Sequence, residues 1–313
     1  MRVHFWGTRG SLPTSLNAGK VRAKIIRALK AAQGKSFANE EEIAAFVDGE
    51  LPFSIRGSYG GNSSCIEIRG GEEYILCDAG TGLRDFGQTV GGVRGVYHLF
   101  LSHLHWDHLQ GFPFFTPAYI PGNRIKIYGI HAGLEQAFTT QQSQPFFPVP
   151  FQAMRAEISF HPLQHGEIYE IAGFEVQGIR QHHPGDSYGY RFAKNGKNVV
   201  YSTDSEHKKD AESPTYAYLD FIRETDLLIF DAQYTLLDAI GDKEDWGHSS
   251  NVIGVEMAVE GQAKRLCLFH HEHTYDDEVF DELLEDTRTY LKILSETSPL
   301  EIYLAYDGLE IEI

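Results

Sequence analysis

A chain of 313 residues with 42% hydrophobic and 23% charged residues has an ordinary globular composition and enough length to bury a substantial core. Its formal net charge of −17 excludes an overall basic field that would draw in a long polyanion, although a local basic patch stays compatible with it. No segment has the length and apolarity of a membrane span or a signal-peptide core, and Cys65, Cys77 and Cys267 sit unpaired in apolar, strand-like runs, so a reducing, cytoplasmic location is expected.

In chain order, residues 2–8 read as a strand, and a helical stretch over about 16–55 follows. Val21, Ile25 and Leu29 share one helix face there, Gly34 is a plausible stop, and Asn39 with Glu42 resembles a capping box for a second helix. This stretch reads as an insertion between the first two strands. Its simplest role is to cover a sheet edge; an active-site lid or a dimer contact are the alternatives. Short β-branched and aromatic runs then predict strands at 64–68, 74–78, 96–102, 124–128, 156–160, 167–178, 188–192 and 197–204. Asn195-Gly196 predicts a tight hairpin turn. The last third alternates: a strand at 226–231, a helix at about 250–262, a strand at 265–270, a long helix and a strand at 300–306. The long helix places Val279, Leu283, Thr287 and Leu291 on one face. Strands and helices in both halves, with no linker between them, predict one α/β domain over 1–313, layered helix, sheet, sheet, helix.

The strand at 96–102 runs into His103-Leu104-His105-Trp106-Asp107-His108. Four potential donors within six residues would be costly to bury unless they share a cation. Imidazole together with carboxylate suits zinc, with manganese or iron as alternatives.

This HxHxDH run, with Gly111 three places beyond it, resembles the motif of the metallo-β-lactamase superfamily. Its surroundings are similar to the phosphodiesterase branch that includes ribonuclease Z and cyclic-nucleotide phosphodiesterases. Gly7-Thr8-Arg9-Gly10-Ser11, Gly61-Asn62-Ser63-Ser64 and Asp78-Ala79-Gly80-Thr81-Gly82 extend the resemblance along most of the chain. It implies a four-layer αββα sandwich carrying two zinc ions. By that pattern His183, ahead of Tyr188-Gly189-Tyr190-Arg191, is preferred to His182 as a later ligand. Asp204, closing Tyr201-Ser202-Thr203-Asp204, would bridge both ions, and His270 is preferred to His271. One ion then belongs to His103, His105 and His183, and the other to Asp107, His108 and His270. His248, in Trp246-Gly247-His248-Ser249-Ser250, resembles a histidine near the scissile phosphate and is the candidate general acid; a helix-capping histidine is the alternative. Asp231 could orient a ligand or His248, and Asp78 is expected to hydrogen-bond around the metal loop without ligating.

Two zinc ions roughly 3.5 Å apart would generate a hydroxide at neutral pH for in-line attack on phosphorus. Asp107 would help orient that nucleophile, and His248 would protonate the leaving sugar oxygen. The expected substrate is a small cyclic nucleotide or related cyclic phosphodiester. Long RNA is disfavoured by the charge and by the lack of a Gly-rich basic arm, although the first insertion helix carries Lys20, Arg22, Lys24, Arg27, Lys30 and Lys35. The alternatives are a tRNA 3′-processing endonuclease, a non-phosphoester metallohydrolase and a non-catalytic binding module. Trp106 reads as a packing residue, with substrate contact as the alternative. The run Gln144-Pro145-Phe146-Phe147-Pro148-Val149-Pro150-Phe151 reads as an aromatic rim that stacks a base, or as core or homodimer surface.

Overall fold

A computed structural model describes residues 1–207, 216–239, 241 and 243–313. The first half runs β1 (Arg2–Gly7), α1 (Ala18–Ala31), α2 (Glu40–Glu50), α3 (Phe53–Arg56), β2 (Cys65–Arg69), β3 (Tyr74–Cys77), α4 (Gly82–Val90), β4 (Val96–Phe100), β5 (Arg124–Gly129), α5 (Leu134–Gln141) and β6 (Glu157–Pro162). The second half runs β7 (Ile168–Ile171), β8 (Phe174–Gln181), β9 (Ser187–Lys194), β10 (Lys197–Ser202), α6 (Ala217–Ile222), β11 (Leu227–Asp231), α7 (Leu236–Ala239), α8 (Asn251–Glu260), β12 (Arg265–Phe269), α9 (Asp277–Leu294), β13 (Glu301–Leu304) and β14 (Glu310–Glu312).

The described strands form two seven-stranded sheets, ordered β14-β1-β2-β3-β4-β5-β6 and β13-β12-β11-β10-β9-β8-β7. Phe5, Phe100, Phe174, Tyr190 and Phe192 fill the space between them. Phe100 meets Phe192 edge-on at 5.0 Å and Tyr190 at 5.6 Å, a favoured aromatic geometry. On the outer faces, α4 and α5 cover the first sheet, and α8 and α9 the second. This is the four-layer αββα sandwich. In each sheet a parallel run, β3 to β6 and β10 to β13, aligns strand C-termini at one rim, where open α/β sheets place their ligands.

Several elements differ from the expectation. Residues 167–178 make two strands, because Ala172 and Gly173 turn through positive φ of 52° and 74°. The helix α4 was not anticipated; Gly82 and Gly87 lower its intrinsic propensity, yet Leu83, Phe86 and Val90 are all buried. On α9 the buried stripe is Phe280, Leu283, Thr287 and Leu291, whereas Val279 is 36% exposed. The Asn195-Gly196 turn is present, both residues at positive φ, and Cys65, Cys77 and Cys267 are buried and unpaired. No described helix is long and apolar enough to cross a membrane.

The insertion seats on α9. Lys20 pairs with Asp276 at 2.6 Å, Lys24 with Asp277 at 2.7 Å, and Arg27 with Glu278. Spacings of four and three on α1 put these cations on one face, and the acidic residues sit at the N-terminal end of α9, where carboxylates are favoured. Val21, Ile25 and Leu29 are left exposed. On α2 the Asn39 side chain accepts from Glu42 N at 2.9 Å, and the Glu42 carboxylate accepts from Ala38 N at 2.8 Å.

Candidate metal centre

The loop after β4 delivers His103, His105, Asp107 and His108 to the rim, the last two on a tight turn, Trp106–His108. The second sheet answers from four strand ends: His183 beyond β8, Asp204 beyond β10, Asp231 ending β11 and His270 beyond β12. Asp78, Asp204 and His270 have positive φ of 62°, 49° and 61°, a conformation costing roughly 1–2 kcal/mol each for residues with a Cβ. Such strain persists where surrounding structure over-determines it, commonly at functional sites.

Asp204 stands at the middle. One carboxylate oxygen lies 3.3 Å from both His108 Nε2 and His270 Nε2, and the other 3.5 Å from His103 Nε2 and 3.8 Å from His183 Nε2. Two pairs of imidazole nitrogens face each other, His183 Nε2 with His105 Nδ1 at 3.1 Å and His108 Nε2 with His270 Nε2 at 3.3 Å. Asp107 reaches His108 Nε2 at 3.1 Å and His270 Nε2 at 3.4 Å. The donor atoms of His103, His105 and His183 lie within 4.8 Å of one another, as do those of Asp107, His108 and His270.

Each doublet separates by its hydrogen bonds. His183 Nδ1 donates to the Gly247 carbonyl at 2.8 Å, which leaves Nε2 its lone pair for the cluster, while His182 is exposed. His270 is in the cluster, whereas His271 Nε2 donates to the Ala305 carbonyl at 2.7 Å and burial pushes its pKa down to about 3. Gly10 makes room for His270: a Cβ there would sit 2.7 Å from the ring.

Electrostatics make the cluster fit for a cation. Burial, the largest cause, holds His103 well below its ordinary pKa; its Nδ1 contacts Ser102 Oγ, and its buried Nε2 has no hydrogen-bond partner. A neutral, unpartnered nitrogen beside a buried carboxylate is costly unless a cation lies between them. Burial opposes ionisation of Asp107 and Asp204, but the surrounding histidines prevail and keep both carboxyls well below their usual range. Burial opposes a charge on His108 too, but Asp107, Asp204 and Asp78 prevail and raise it well above its ordinary pKa, so a bound ion would displace that proton. Imidazole and carboxylate donors of this kind suit zinc and its borderline neighbours.

Asp78 does not reach the donors' shared space. It accepts from Ser102 N at 2.8 Å, Ser102 Oγ at 2.7 Å, His108 Nδ1 at 2.7 Å and Tyr201 Oη at 2.6 Å, fixing the His108 ring with Nε2 inward. Asp78→Asn is expected to weaken metal affinity about 10–100-fold, the usual effect of losing such an orienting partner; a zinc titration with a competing chelator would show an unchanged affinity if the carboxylate were irrelevant.

His248 lies at the margin, stacked on His270 at 5.1 Å and edge-on to His183 at 5.0 Å. Its Nδ1 donates to Asp231 at 2.8 Å, and Asp231 is itself fixed by Ser205 N and Gln233 N. Burial disfavours a charge on His248, but Asp231 outweighs it and the pKa rises to about 9. The cap of α8 is Ser250, whose side chain accepts from Ile253 N, so His248 is not a helix cap. Ser102, Tyr201 and the backbone N–H of Ser11, which donates to Asp107 at 2.9 Å, were not anticipated. Serine and tyrosine in strand-end positions carry no pattern that distinguishes them from core residues.

An αββα sandwich with this rim of histidines and carboxylates defines a metal-dependent hydrolase. Residues 73–271 match the family described as the beta-lactamase superfamily domain, and the chain belongs to that superfamily. It is 22% identical over 312 residues to a protein named ribonuclease Z from Methanosarcina acetivorans, covering 82% of this chain and 96% of that one. Among solved structures, the metallo-beta-lactamase fold protein YhfI from Bacillus subtilis superposes with a TM-score of 0.67 at 19% identity, covering 100% of this chain and 98% of that one. A diphosphatase of the PhnP family superposes at 0.62 and 20% identity, covering 100% and 97%.

Proposed function

We propose that this protein is a binuclear zinc phosphodiesterase acting on a small cyclic nucleotide or related cyclic phosphodiester. His103, His105 and His183 would hold one ion, Asp107, His108 and His270 the second, and Asp204 would link them, one carboxylate oxygen facing each set. When bound, such a pair polarises a phosphoryl oxygen and makes water acidic enough to attack at neutral pH. Asp107, held by the Ser11 N–H, orients the attacking group. His248 gives its proton to the departing sugar oxygen while Asp231 keeps the ring in place.

The observation that carries the reading is the His248–Asp231 pair beside the donor cluster: an alkoxide leaving group needs a proton donor there, and a thioester, whose thiolate leaves without one, has less use for it. The small-substrate preference is supported by the net charge of −17 and by the state of the basic helix α1. Lys20, Lys24 and Arg27 are engaged by carboxylates at the start of α9, and Lys35, just beyond α1, by Glu50, which offsets the charge of four of the six cations named for this segment. A tRNA 3′-processing reading is favoured instead by the similarity to proteins named ribonuclease Z.

Zinc-loaded protein tested on 2′,3′- and 3′,5′-cyclic nucleotides, precursor tRNA and a lactam separates these readings. About two metal ions per chain and fastest turnover of a cyclic nucleotide are expected. Precursor tRNA cleaved as well or better would overturn the small-substrate preference, and fewer than about one ion per chain would sink the metallohydrolase reading.

A further inference from the structure

The turn Trp106–His108 has two faces. Asp107 and His108 point into the donor cluster and are buried, while Trp106, between His105 and Asp107 in sequence, is 74% exposed. The expectation that Trp106 packs is therefore wrong. A tryptophan left this far in water is uncommon, because its ring carries a large apolar surface. Here it forms one wall of a groove of about 600 Å³, a size suited to a small ligand. Phe114 and Phe147 meet edge-on at 5.6 Å in that groove, and Phe146, 66% exposed, also lines it. Polar groups are sparse but present: the side chains of Gln136 and Thr140 are exposed along α5.

We propose that this groove is the subsite for the aromatic base of the phosphodiester substrate, with Trp106 as its stacking platform. The proposal rests on the phosphodiester reading above. Continuity with the centre argues for it: Leu104, Trp106 and Leu109 line the groove and alternate along the chain with His103, His105, Asp107 and His108. A ligand whose phosphate meets the donors would lay its next group against the indole. An apolar groove with aromatic walls favours a flat ring over an alkyl chain, and every base offers a π-face. The exposed Gln136 amide and Thr140 hydroxyl can hydrogen-bond the ring edge. A phosphodiester lacking an aromatic ring would leave these walls wet.

The test compares 2′,3′-cyclic AMP with the 2′,3′-cyclic phosphate of methyl riboside, which presents the same reacting ring without a base. Wild-type protein should show a KM for the base-bearing substrate at least about 10-fold lower, a difference of about 1.4 kcal/mol. Trp106→Ala should close that gap with kcat and metal content preserved, and Trp106→Phe should keep most of it. A second readout is independent of turnover: AMP added to the metal-free protein should quench tryptophan fluorescence, and the quench should vanish in Trp106→Phe. Equal loss on both substrates in Trp106→Ala would mean that the residue supports the metal loop. An undiminished gap, or a quench that survives in Trp106→Phe, would place the base elsewhere; either result overturns the subsite. If neither diester is cleaved by the zinc-loaded wild type but the Trp106-dependent quench is present, the phosphodiesterase reading fails and the aromatic subsite stands.

Discussion

Asp204→Ala should lower phosphodiester turnover by about 10³-fold or more and release at least one metal ion per chain. The expectation follows from where its two oxygens lie. Each faces a different pair of histidines, at 3.3–3.8 Å, and the side chain is 2% exposed. Losing it removes negative charge from both proposed ion sites at once, leaving His103, His105 and His183 as an all-imidazole set and Asp107 as the one carboxylate with His108 and His270. The stabilisation that a metal pair gives a phosphoryl transition state amounts to several kcal/mol, and each 1.36 kcal/mol is tenfold in rate. Metal analysis after exhaustive dialysis, run with steady-state kinetics, decides the matter. A variant that keeps two ions and loses less than tenfold would show that Asp204 does not join the two sites.

His248→Ala should behave differently. Turnover of a cyclic nucleotide is expected to fall about 10²–10⁴-fold, the usual contribution of a positioned general acid, while metal content stays at the wild-type level. Leaving-group basicity supplies the control. A nitrophenolate departs without a proton and should lose far less in the variant than a sugar alkoxide does. Asp231→Asn should produce a weaker version of the same pattern, since Asp231 holds His248 Nδ1 at 2.8 Å but touches no reacting atom. If His248→Ala slowed both leaving groups equally and shed metal, the ring would be a ligand; its position in two donor groups with Asp204, Asp231, His183 and His270 makes that outcome physically coherent.

The sandwich and the first half of the site were legible because their signals are local. Four donors after an apolar strand need no knowledge of the rest of the chain, and short β-branched runs mark strands wherever they fall. The later donors became visible only through resemblance, since His183, Asp204 and His270 are brought together by sheet packing that no window of sequence reports. Neighbouring histidines such as His270 and His271 are equivalent in composition; they part company because one itself takes the left-handed conformation at the strand end and the other finds the Ala305 carbonyl. Trp106 was misread for a related reason. A large apolar residue usually packs, and the exception becomes apparent only when its turn is seen to spend the inward positions on Asp107 and His108. The helix α4 was hidden by its two glycines, and the stripe of α9, right at Leu283, Thr287 and Leu291, begins at Phe280 rather than Val279, two neighbours that are both apolar.

The donors arrive from both sheets: His103, His105, Asp107 and His108 from the first, and His183, Asp204 and His270 from the second. Neither set holds both ions by itself. The first lacks the central carboxylate, and the second offers only two imidazoles to share between two places. Ion capture therefore has an order imposed on it. On the proposed ligand set, the sandwich must close over Phe100 and Tyr190 before both ion places are complete, since the donors of either sheet alone leave them unfinished. With the proposed ligands, bound metal would report that both halves have assembled in register.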